Sequence, residues 1–566
     1  ISACLVGSEM CIRDSLNPTG SDQYFGTVAT DNVVTQLPIY HVFVPGTYTF
    51  NNAHPIDQDN VGGRGALFYD GELYDNVFFR IKGDTTRTMN KRAHRVDFNS
   101  EHQFRWANGR SRMRELALNG EYVDPSYSRQ MMSMWLHRVS GTGGPEHFPV
   151  RTQINGVFWQ LAFHTETQDF ELLENMGLDP NGAMYASVGQ MAGAGGEKQT
   201  RTYEGTTDMA NFVTAITSAN PTTRRNNVFD QIDIPATINY LTVARITQEG
   251  DDVWANMVIH RDSDGTGEWR IIPFDTNLSW GQLYYADFPT GNTTLSANTD
   301  RNKSHPLYGN IQCWTLDYAG QRYNRFYDAI ISVPETRAML LRRMRSIMDQ
   351  YLQPPGTAAP LLESMLDAHV ARITPEATLD RTQWGWPPIA GPYGLGNDSL
   401  TTAISEIKNL FLTPRRTHFF TTHTSTTSVG ISNASSAGIP ATPQPAAFPI
   451  TISGFDAFPP NSTTQNEEYV QLTNPNAFAA DISGWSLSGA IRFSFKGGTV
   501  IPASGSLFVS PRQASFRART VSPRGGEGRF VVGPYQGQLS SRGESLELRD
   551  AANTLVSSIT TPANPT

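Results

Sequence analysis

The sequence predicts an α+β domain with a helical C-terminal subdomain, followed by a linker and an all-β, immunoglobulin-like sandwich. Three observations lead to this fold class. Short runs of β-branched and aromatic residues alternate with helical patterns up to residue 274, helical periodicity dominates from about 315 to 420, and short alternating segments follow residue 448. The 566 residues suffice for roughly two to four domains of ordinary size.

The first of these regions mixes strands with helices. An Asn-Gly pair at 155–156 is a strong hairpin signal, and Met131, Met134 and Trp135 share one face of a predicted helix. The predicted elements are strands at 40–44, 77–81 and 94–98, a helix at 126–138, a hairpin of 148–154 with 157–164, and a hairpin of 257–260 with 269–274.

Helical spacing of apolar residues marks the second region. Pro334 suits the first turn of a helix, and Pro354-Pro355-Gly356 ends that helix. The residues predicted to face the core are Leu340, Met344, Ile347, Met348, Tyr351, Leu362, Leu366, His369, Ile373, Ile404, Ile407 and Phe411.

Residues 421–447 are rich in Thr, Ser, Ala and Pro and predict a flexible linker. Beyond the linker, strands are predicted at 469–472, 485–487, 507–509 and 546–548, with Trp485 in the core between two sheets. The predicted boundaries are therefore 36–420 for the mixed domain, 421–447 for the linker and 448–560 for the sandwich.

Composition excludes several classes of protein. A net charge of −9 argues against a general nucleic-acid binder, and no apolar run is long enough for a membrane-spanning helix. Residues 1–15 resemble a translated sequencing-adapter artefact, so the absence of a leader there says nothing about secretion. Without them Cys313 is the one cysteine, which excludes a disulfide framework and a cysteine-cluster zinc site.

One constellation of polar residues indicates chemistry. Asp251 and Asn256 have the spacing that protein kinases use between the catalytic base and a metal-binding Asn, and Asp275 follows at the end of an apolar strand. Magnesium prefers such hard oxygen ligands and keeps several waters. The alternative is structural: Asp251 and Asp252 cap a helix, and Asn256 satisfies a turn.

Motifs that occur in order between residues 80 and 281 resemble those of the spore-coat protein H (CotH) kinase family, a family of atypical secreted or surface-associated protein kinases, and the resemblance as a whole covers about 380 residues. Each motif alone is weak, but the series is specific. The matching segments are Arg80-Ile-Lys-Gly83, 91–98, Leu116-Ala-Leu with Asp124 and Arg129, Ile154–Trp159 with Glu166, 251–256, and 273–281.

This resemblance implies a kinase-like fold and a role for each matching residue. Lys91, or its neighbour Arg92, would contact the phosphates of ATP, and Glu166 would orient that cation or touch the nucleotide. Asp251 or Asp252 would be the catalytic base, while Asn256 and Asp275 would hold Mg²⁺. The implied reaction is phosphoryl transfer to Ser or Thr of secreted or surface proteins, and the implied location is extracellular or at the cell surface.

Departures from the family pattern keep a second hypothesis open. Arg92 stands where the most characteristic cation of the family can lie, Gln160 replaces a usual glycine, Asn277 a common acidic residue and Phe274 a tryptophan. These changes favour a kinase-like scaffold with little or no activity, acting as a surface binding or adhesion protein.

The C-terminal region resembles a lamin-tail domain through residues 466–475, 481–487, 499–509 and 545–550. It carries no catalytic constellation, so a binding or tethering role with an unknown ligand is expected.

Overall fold

The structure is a computed structural model. It describes residues 33–83, 85–186, 191, 196–250, 252, 256–282, 305–307, 324–386, 399–424, 436–459, 465–540 and 542–561. Asp251, residues 1–15 and Cys313 lie outside the described residues.

Seven strands of the N-terminal part close into a barrel of order β1-β2-β3-β4-β5-β7-β6. Neighbouring strands are antiparallel except β1 and β6, which pair in parallel and close the barrel. Alternate residues of these strands are buried, as in β1 and β4. The strands are β1 (Ile39–Phe43), β2 (Gly63–Tyr69), β3 (Glu72–Lys82), β4 (Ala93–Asp97), β5 (Glu115–Asn119), β6 (His147–Ile154) and β7 (Val157–Glu166).

The predicted strands and hairpins of this region are confirmed. Ile154 pairs with Val157 across the turn. Asn155 and Gly156 have φ values of 46° and 86°, the left-handed conformation that a two-residue hairpin turn requires. Closure of the barrel was not predicted, because the pairing of β1 with β6 joins segments about 110 residues apart in the sequence.

A second sheet of order β11-β10-β8-β9 packs with five helices. Its hairpin of β10 and β11 is the one that the sequence predicts. The strands are β8 (Ala183–Ala186), β9 (Glu197–Lys198), β10 (Met257–Arg261) and β11 (Trp269–Pro273), and the helices are α1 (Arg129–Ser140), α2 (Phe170–Asn175), α3 (Thr207–Ile216), α4 (Pro221–Gln231) and α5 (Ile234–Thr247).

The helical subdomain is also confirmed. Pro334 lies in the first turn of its helix, and the predicted core-facing residues are buried except Tyr351, which is partly buried. The elements are α6 (Arg325–Ser332), α7 (Pro334–Ile347), a π-helical turn (Met348–Leu352), α8 (Leu361–Trp384), α9 (Leu400–Glu406), a π-helical turn (Ile407–Leu412), α10 (Thr413–Thr417) and a π-helical turn (His418–Thr422).

The C-terminal region is an all-β fold with one short helix, α11 (Gln513–Arg517). Trp485 is buried in its core, as predicted. The strands are β12 (Thr451–Asp456), β13 (Tyr469–Thr473), β14 (Ala480–Asp481), β15 (Ser486–Gly489), β16 (Ile491–Ser494), β17 (Val500–Ile501), β18 (Ser506–Val509), β19 (Phe530–Val532), β20 (Gln536–Gly537), β21 (Ser545–Arg549) and β22 (Leu555–Thr560).

The described residues of the predicted linker make defined contacts with the helical subdomain. Ala437 and Ile439 are buried, and Ile439 N–H donates to the main-chain oxygen of His423 at 2.8 Å. Arg345 of α7 donates to the main-chain oxygens of Pro440 and Ala441. A few small apolar side chains and satisfied carbonyls thus fix the described residues near 437–441.

Among the described helices, none combines the length and apolar character that crossing a membrane requires.

Candidate active site

Lys82, Glu121 and Asp275 form the charged centre of the candidate site. Lys82 ends strand β3, Glu121 follows β5, and Asp275 follows β11. The Lys82 ammonium donates to Asn119 Oδ1 at 3.2 Å and lies 5.5 Å from the centre of the Phe274 ring. Burial lowers the pKa of Lys82, while the charges of Asp275 and Glu121 act in the opposite direction and favour the ammonium form.

Glu121 is the acid with the most perturbed environment in this centre. Its side chain is buried, and this burial together with the neighbouring Asp124 and Asp275 raises its pKa to about 8. Lys91 and Lys82 lower that pKa in part. His147 Nε2 lies 3.7 Å from Glu121 Oε1. A buried carboxyl group whose pKa is raised beside other acids is a candidate functional group.

Asp275 has an unusual backbone conformation. Its φ is 49°, in the left-handed region that Asp tolerates better than most residues. Asn256 Nδ2 donates to its main-chain oxygen at 3.1 Å, which joins the two residues that the sequence predicts as metal ligands. Burial raises the pKa of Asp275, and the Lys82 charge lowers it in part.

Hydrogen bonds connect residues 247–250 at the end of α5 with residues 278–280 after β11. Helix α5 ends with Gln248 in the left-handed conformation. The Gly250 N–H donates to Leu278 O at 2.6 Å, and the Trp280 N–H donates to Thr247 O at 2.7 Å. Trp280 Nε1 also donates to Arg129 O and Ser133 Oγ of α1. The loop after α5 and the segment after β11 therefore form one unit resting on α1.

Asp124 fixes the start of α1. Its carboxylate accepts from the main-chain N–H groups of Ser126, Ser128 and Arg129 at 2.9–3.0 Å and contacts the Arg129 guanidinium. Burial by itself would raise the pKa of Asp124, but Arg129 and these hydrogen bonds hold the pKa below its usual value. Asp124 and Arg129, which belong to the recognised motif series, therefore have a structural role at the helix N-terminus.

Lys91 lies in the protein interior. Its ammonium donates to the main-chain oxygens of Gly120 and Leu161 and to Asp380 Oδ2 of α8, the last at 2.8 Å. Both side chains of the ion pair are 0% exposed, and burial lowers the pKa of Lys91 to about 8. Three acceptors match the three hydrogens of an ammonium group, which leaves Lys91 no donor for a phosphate.

The neighbouring Arg92 is half-buried, and its guanidinium donates to the main-chain oxygens of Met89 and Asp57. Glu166 is buried at the end of β7. Its carboxylate accepts from Glu146 N–H at 2.8 Å and from Asn175 Nδ2 at 2.7 Å, and burial raises its pKa. The structure thus gives Arg92 and Glu166 partners within the fold rather than in the charged centre.

Asp252 is also buried. It forms an ion pair with Arg245 of α5 and accepts a hydrogen bond from Tyr327 Oη at 3.0 Å. Asp252 thereby joins α5 to α6.

Lys82 and Glu121 are residues of the charged centre to which the sequence analysis gave no role. Lys82 lies inside the recognised segment Arg80-Ile-Lys-Gly83. A lysine at the end of a strand before a glycine is a signal that could have identified it. Glu121 has no such signal, because its neighbours come from distant parts of the chain.

Asn256 and Asp275 offer an amide and a carboxylate oxygen, the donor types that Mg²⁺ takes when waters and phosphates complete its shell. In the described ranges, no group of three or more His, Cys, Asp or Glu side chains is arranged to hold a metal by itself. The residues present therefore fit a metal that arrives with a nucleotide, and they do not form a complete protein cage.

Comparisons with known proteins find similar chains. The chain is 24% identical over 265 residues to the inner spore coat protein H of Bacillus subtilis (strain 168), which covers 44% of this chain and 70% of that protein. It also matches the crystal structure of the Helicobacter pylori proinflammatory kinase CtkA, with 13% identity, 57% of this chain, 92% of that chain and a TM-score of 0.18.

The Lamin Tail Domain model matches residues 443–563, and the CotH kinase protein model matches residues 79–416. Because the second match spans more than half of the chain, the protein belongs to the CotH kinase protein family and carries a C-terminal lamin-tail domain.

Proposed function

We propose that the protein is an atypical kinase that transfers a phosphoryl group from ATP, with Mg²⁺, to Ser or Thr of secreted or surface proteins. The observation that carries the proposal is the joining of Asn256 to Asp275 beside the Lys82 ammonium. Phosphoryl transfer depends mainly on positioning and on neutralising charge, and a cation with two oxygen ligands for magnesium supplies both.

Lys82 is the proposed phosphate contact, in place of Lys91 or Arg92. Its ammonium interacts electrostatically with Asp275 and Glu121, whereas Lys91 donates to Gly120, Leu161 and Asp380. The ammonium would hold the phosphates, and Asn256 and Asp275 would hold the magnesium that accompanies them.

Asp251 is the proposed general base. Asp252, the alternative, already forms an ion pair with Arg245 and accepts a hydrogen bond from Tyr327. A carboxylate with two buried partners is poorly suited to accept the proton of an incoming hydroxyl group, because accepting it would break the ion pair. The base would take the proton from the Ser or Thr hydroxyl as that oxygen attacks the terminal phosphorus of ATP.

A thermal-shift titration with ATP, with and without Mg²⁺, tests the proposal. Ligand at a hundred times its dissociation constant stabilises a folded protein by about 2.7 kcal/mol, a readily measured shift. We expect this shift to require magnesium and to be lost in Lys82→Met and Asp275→Asn. The matched control is Lys408→Met, whose lysine is in an exposed pair with Asp367. Absence of a shift at millimolar ATP would contradict the proposal.

A second candidate function is a kinase-like scaffold with little or no activity that binds surface partners through the lamin-tail domain. The specific observation in its favour is the interior position of Lys91, together with the buried Gln160 where the family usually has glycine. Magnesium-dependent ATP binding without phosphate incorporation into a basic, Ser-rich protein would favour the scaffold.

An extracellular or cell-surface location is part of the proposal. Its support is the match to a spore coat protein, which is by its name a component of a surface layer.

A further inference from the structure

We propose that the lamin-tail domain is a fixed part of the kinase-like unit and that it positions the two segments carrying the candidate catalytic and metal-binding residues. Only the expected effect on catalytic turnover rests on the proposed function. Arg343 of α7 is the centre of the first contact between the two regions, and Arg517 of α11 is the centre of the second.

Arg343 connects three parts of the molecule through hydrogen bonds. Its guanidinium donates to Asp481 Oδ2 of the lamin-tail domain at 3.0 Å, to Asn239 Oδ1 of α5 at 2.7 Å and to Ser140 O at the end of α1 at 2.9 Å. The Arg343 and Asp481 side chains are only 8% and 5% exposed. A buried guanidinium with this many fixed acceptors specifies one relative placement of the elements it joins.

Beside Arg343, the main chain of the lamin-tail domain lies close to that of the kinase-like region. Asn239 Nδ2 donates to Gly497 O at 2.8 Å. A Cβ atom added to Gly497 would lie 3.1 Å from Ser140 O and 3.2 Å from the Arg343 guanidinium, so the space at Gly497 is limited by the kinase-like region. The absence of a side chain there is a requirement of the docking, since the nearest atoms all lie across the contact.

Arg517 makes the second contact. It forms an ion pair with Glu268, which immediately precedes β11, and donates to Thr266 O at 3.3 Å, and Gln513 Nε2 also contacts the Glu268 carboxylate. One hydrophobic cluster continues across the boundary, with Leu341 and Met344 on one side and Ile482 and Trp485 on the other. Two separate ionic contacts over a shared apolar core indicate a permanent arrangement rather than a tethered one.

Both contacts hold elements that lead into the candidate active site. Asn239 lies on α5, which leads to residues 248–250, and Glu268 immediately precedes β11, which is followed by Asp275. The eight helical steps from Asn239 to Thr247 span about 12 Å. Arg343 and Arg517 are therefore positioning residues, and the partner that this surface of the kinase-like region fits is the lamin-tail domain of the same chain.

The experiment compares the full chain with a double variant, Asp481→Ala with Arg517→Ala. The matched control is Glu547→Ala with Arg549→Ala, which removes the same two charge types from a half-buried pair within the lamin-tail domain. Gly497→Leu tests the same contact sterically and without removing any charge.

Calorimetry and hydrogen exchange are the readouts that do not depend on activity. We expect the wild type and the control to unfold in one transition, and the double variant and Gly497→Leu to show a separate transition of the lamin-tail domain. Amide exchange in peptides covering 243–250 and 276–282 should become faster on the order of tenfold in the double variant, because the Gly250 and Trp280 hydrogen bonds open locally.

Two results would overturn the proposal: independent unfolding of the two regions in the wild type, or unchanged exchange at these peptides once the domains unfold separately. With an active enzyme, we expect kcat to fall more than KM rises in the double variant, since positioning rather than substrate contact is lost. An inactive wild type would count against the proposed function alone, because calorimetry and exchange would still decide the docking.

Discussion

Asn256 donates a hydrogen bond from its side-chain amide to the main-chain oxygen of Asp275 at 3.1 Å. The two residues are 19 positions apart. Asn256 precedes β10 and Asp275 follows β11, and the antiparallel pairing of Met257 with Pro273 brings them together at the open end of this hairpin. The hairpin therefore sets the distance between the proposed magnesium ligands. Changes that disturb its register should act on metal-dependent nucleotide binding before they act on the rest of the fold.

The buried pair of Lys91 and Asp380 is expected to be a stability determinant. Replacing Asp380 with Ala leaves a buried ammonium without its counter-charge and should reduce the free energy of unfolding by about 3–5 kcal/mol. The exposed pair of Lys408 and Asp367 is the control, for which Lys408→Met should cost less than about 1 kcal/mol. Urea denaturation measures both. Equal losses in the two variants would contradict the interior placement of Lys91.

The paired replacement Lys91→Met with Asp380→Leu separates charge from packing. Because no unpaired charge remains, we expect the double variant to be more stable than Asp380→Ala, and the same urea curves provide the comparison.

Glu121 should make stability depend on pH. Its pKa is about 8 in the folded protein and near 4.5 when unfolded, so between these values the folded state binds the additional proton. The free energy of unfolding attributable to this group therefore decreases as pH rises from 4.5 to 8, by up to about 1.4 kcal/mol per pH unit.

Glu121→Gln removes this titration. The difference in stability between the wild type and this variant, from denaturation at a series of pH values, should change steeply across that window and be constant above it. A difference that is flat from pH 4.5 to 8 would show that Glu121 is ionised in the folded protein.

Local signals predicted much of the fold. The Asn155-Gly156 turn, the apolar face of α7 and the strand patterns depend on residues close in sequence, and the structure confirms them. Barrel closure and the docked lamin-tail domain depend on contacts between distant segments, such as the pairing of Arg343 with Asp481. No periodicity or turn signal reports such pairs.

In the candidate site, too, local sequence signals predicted some residues, whereas contacts between distant segments decide the roles of others. The sequence predicts Asn256 from its spacing to Asp251 and Asp275 from its position after an apolar strand, and the structure brings these two residues together. Two lysines, Lys82 and Lys91, lie in neighbouring motifs. The partner that holds Lys91 in the interior is Asp380, which is 289 residues away. The choice between Asp251 and Asp252 likewise depends on Arg245 and Tyr327, which lie on helices whose packing the sequence does not state.

The two adjacent acids should respond differently to the same substitution. Asp252→Ala removes the partner of a buried arginine, so we expect a loss of about 3–5 kcal/mol in the free energy of unfolding and a loss of activity that follows from it. Asp251→Ala, as a change of the proposed base, should reduce kcat by about 10²–10⁴-fold. Tyr327→Phe is the control for Asp252, since it removes one hydrogen bond to that carboxylate and should cost about 1 kcal/mol. Denaturation curves and single-turnover phosphorylation on the same preparations decide between them. Full activity in Asp251→Ala, with a stable but inactive Asp252→Ala, would reverse the assignment and make Asp252 the base.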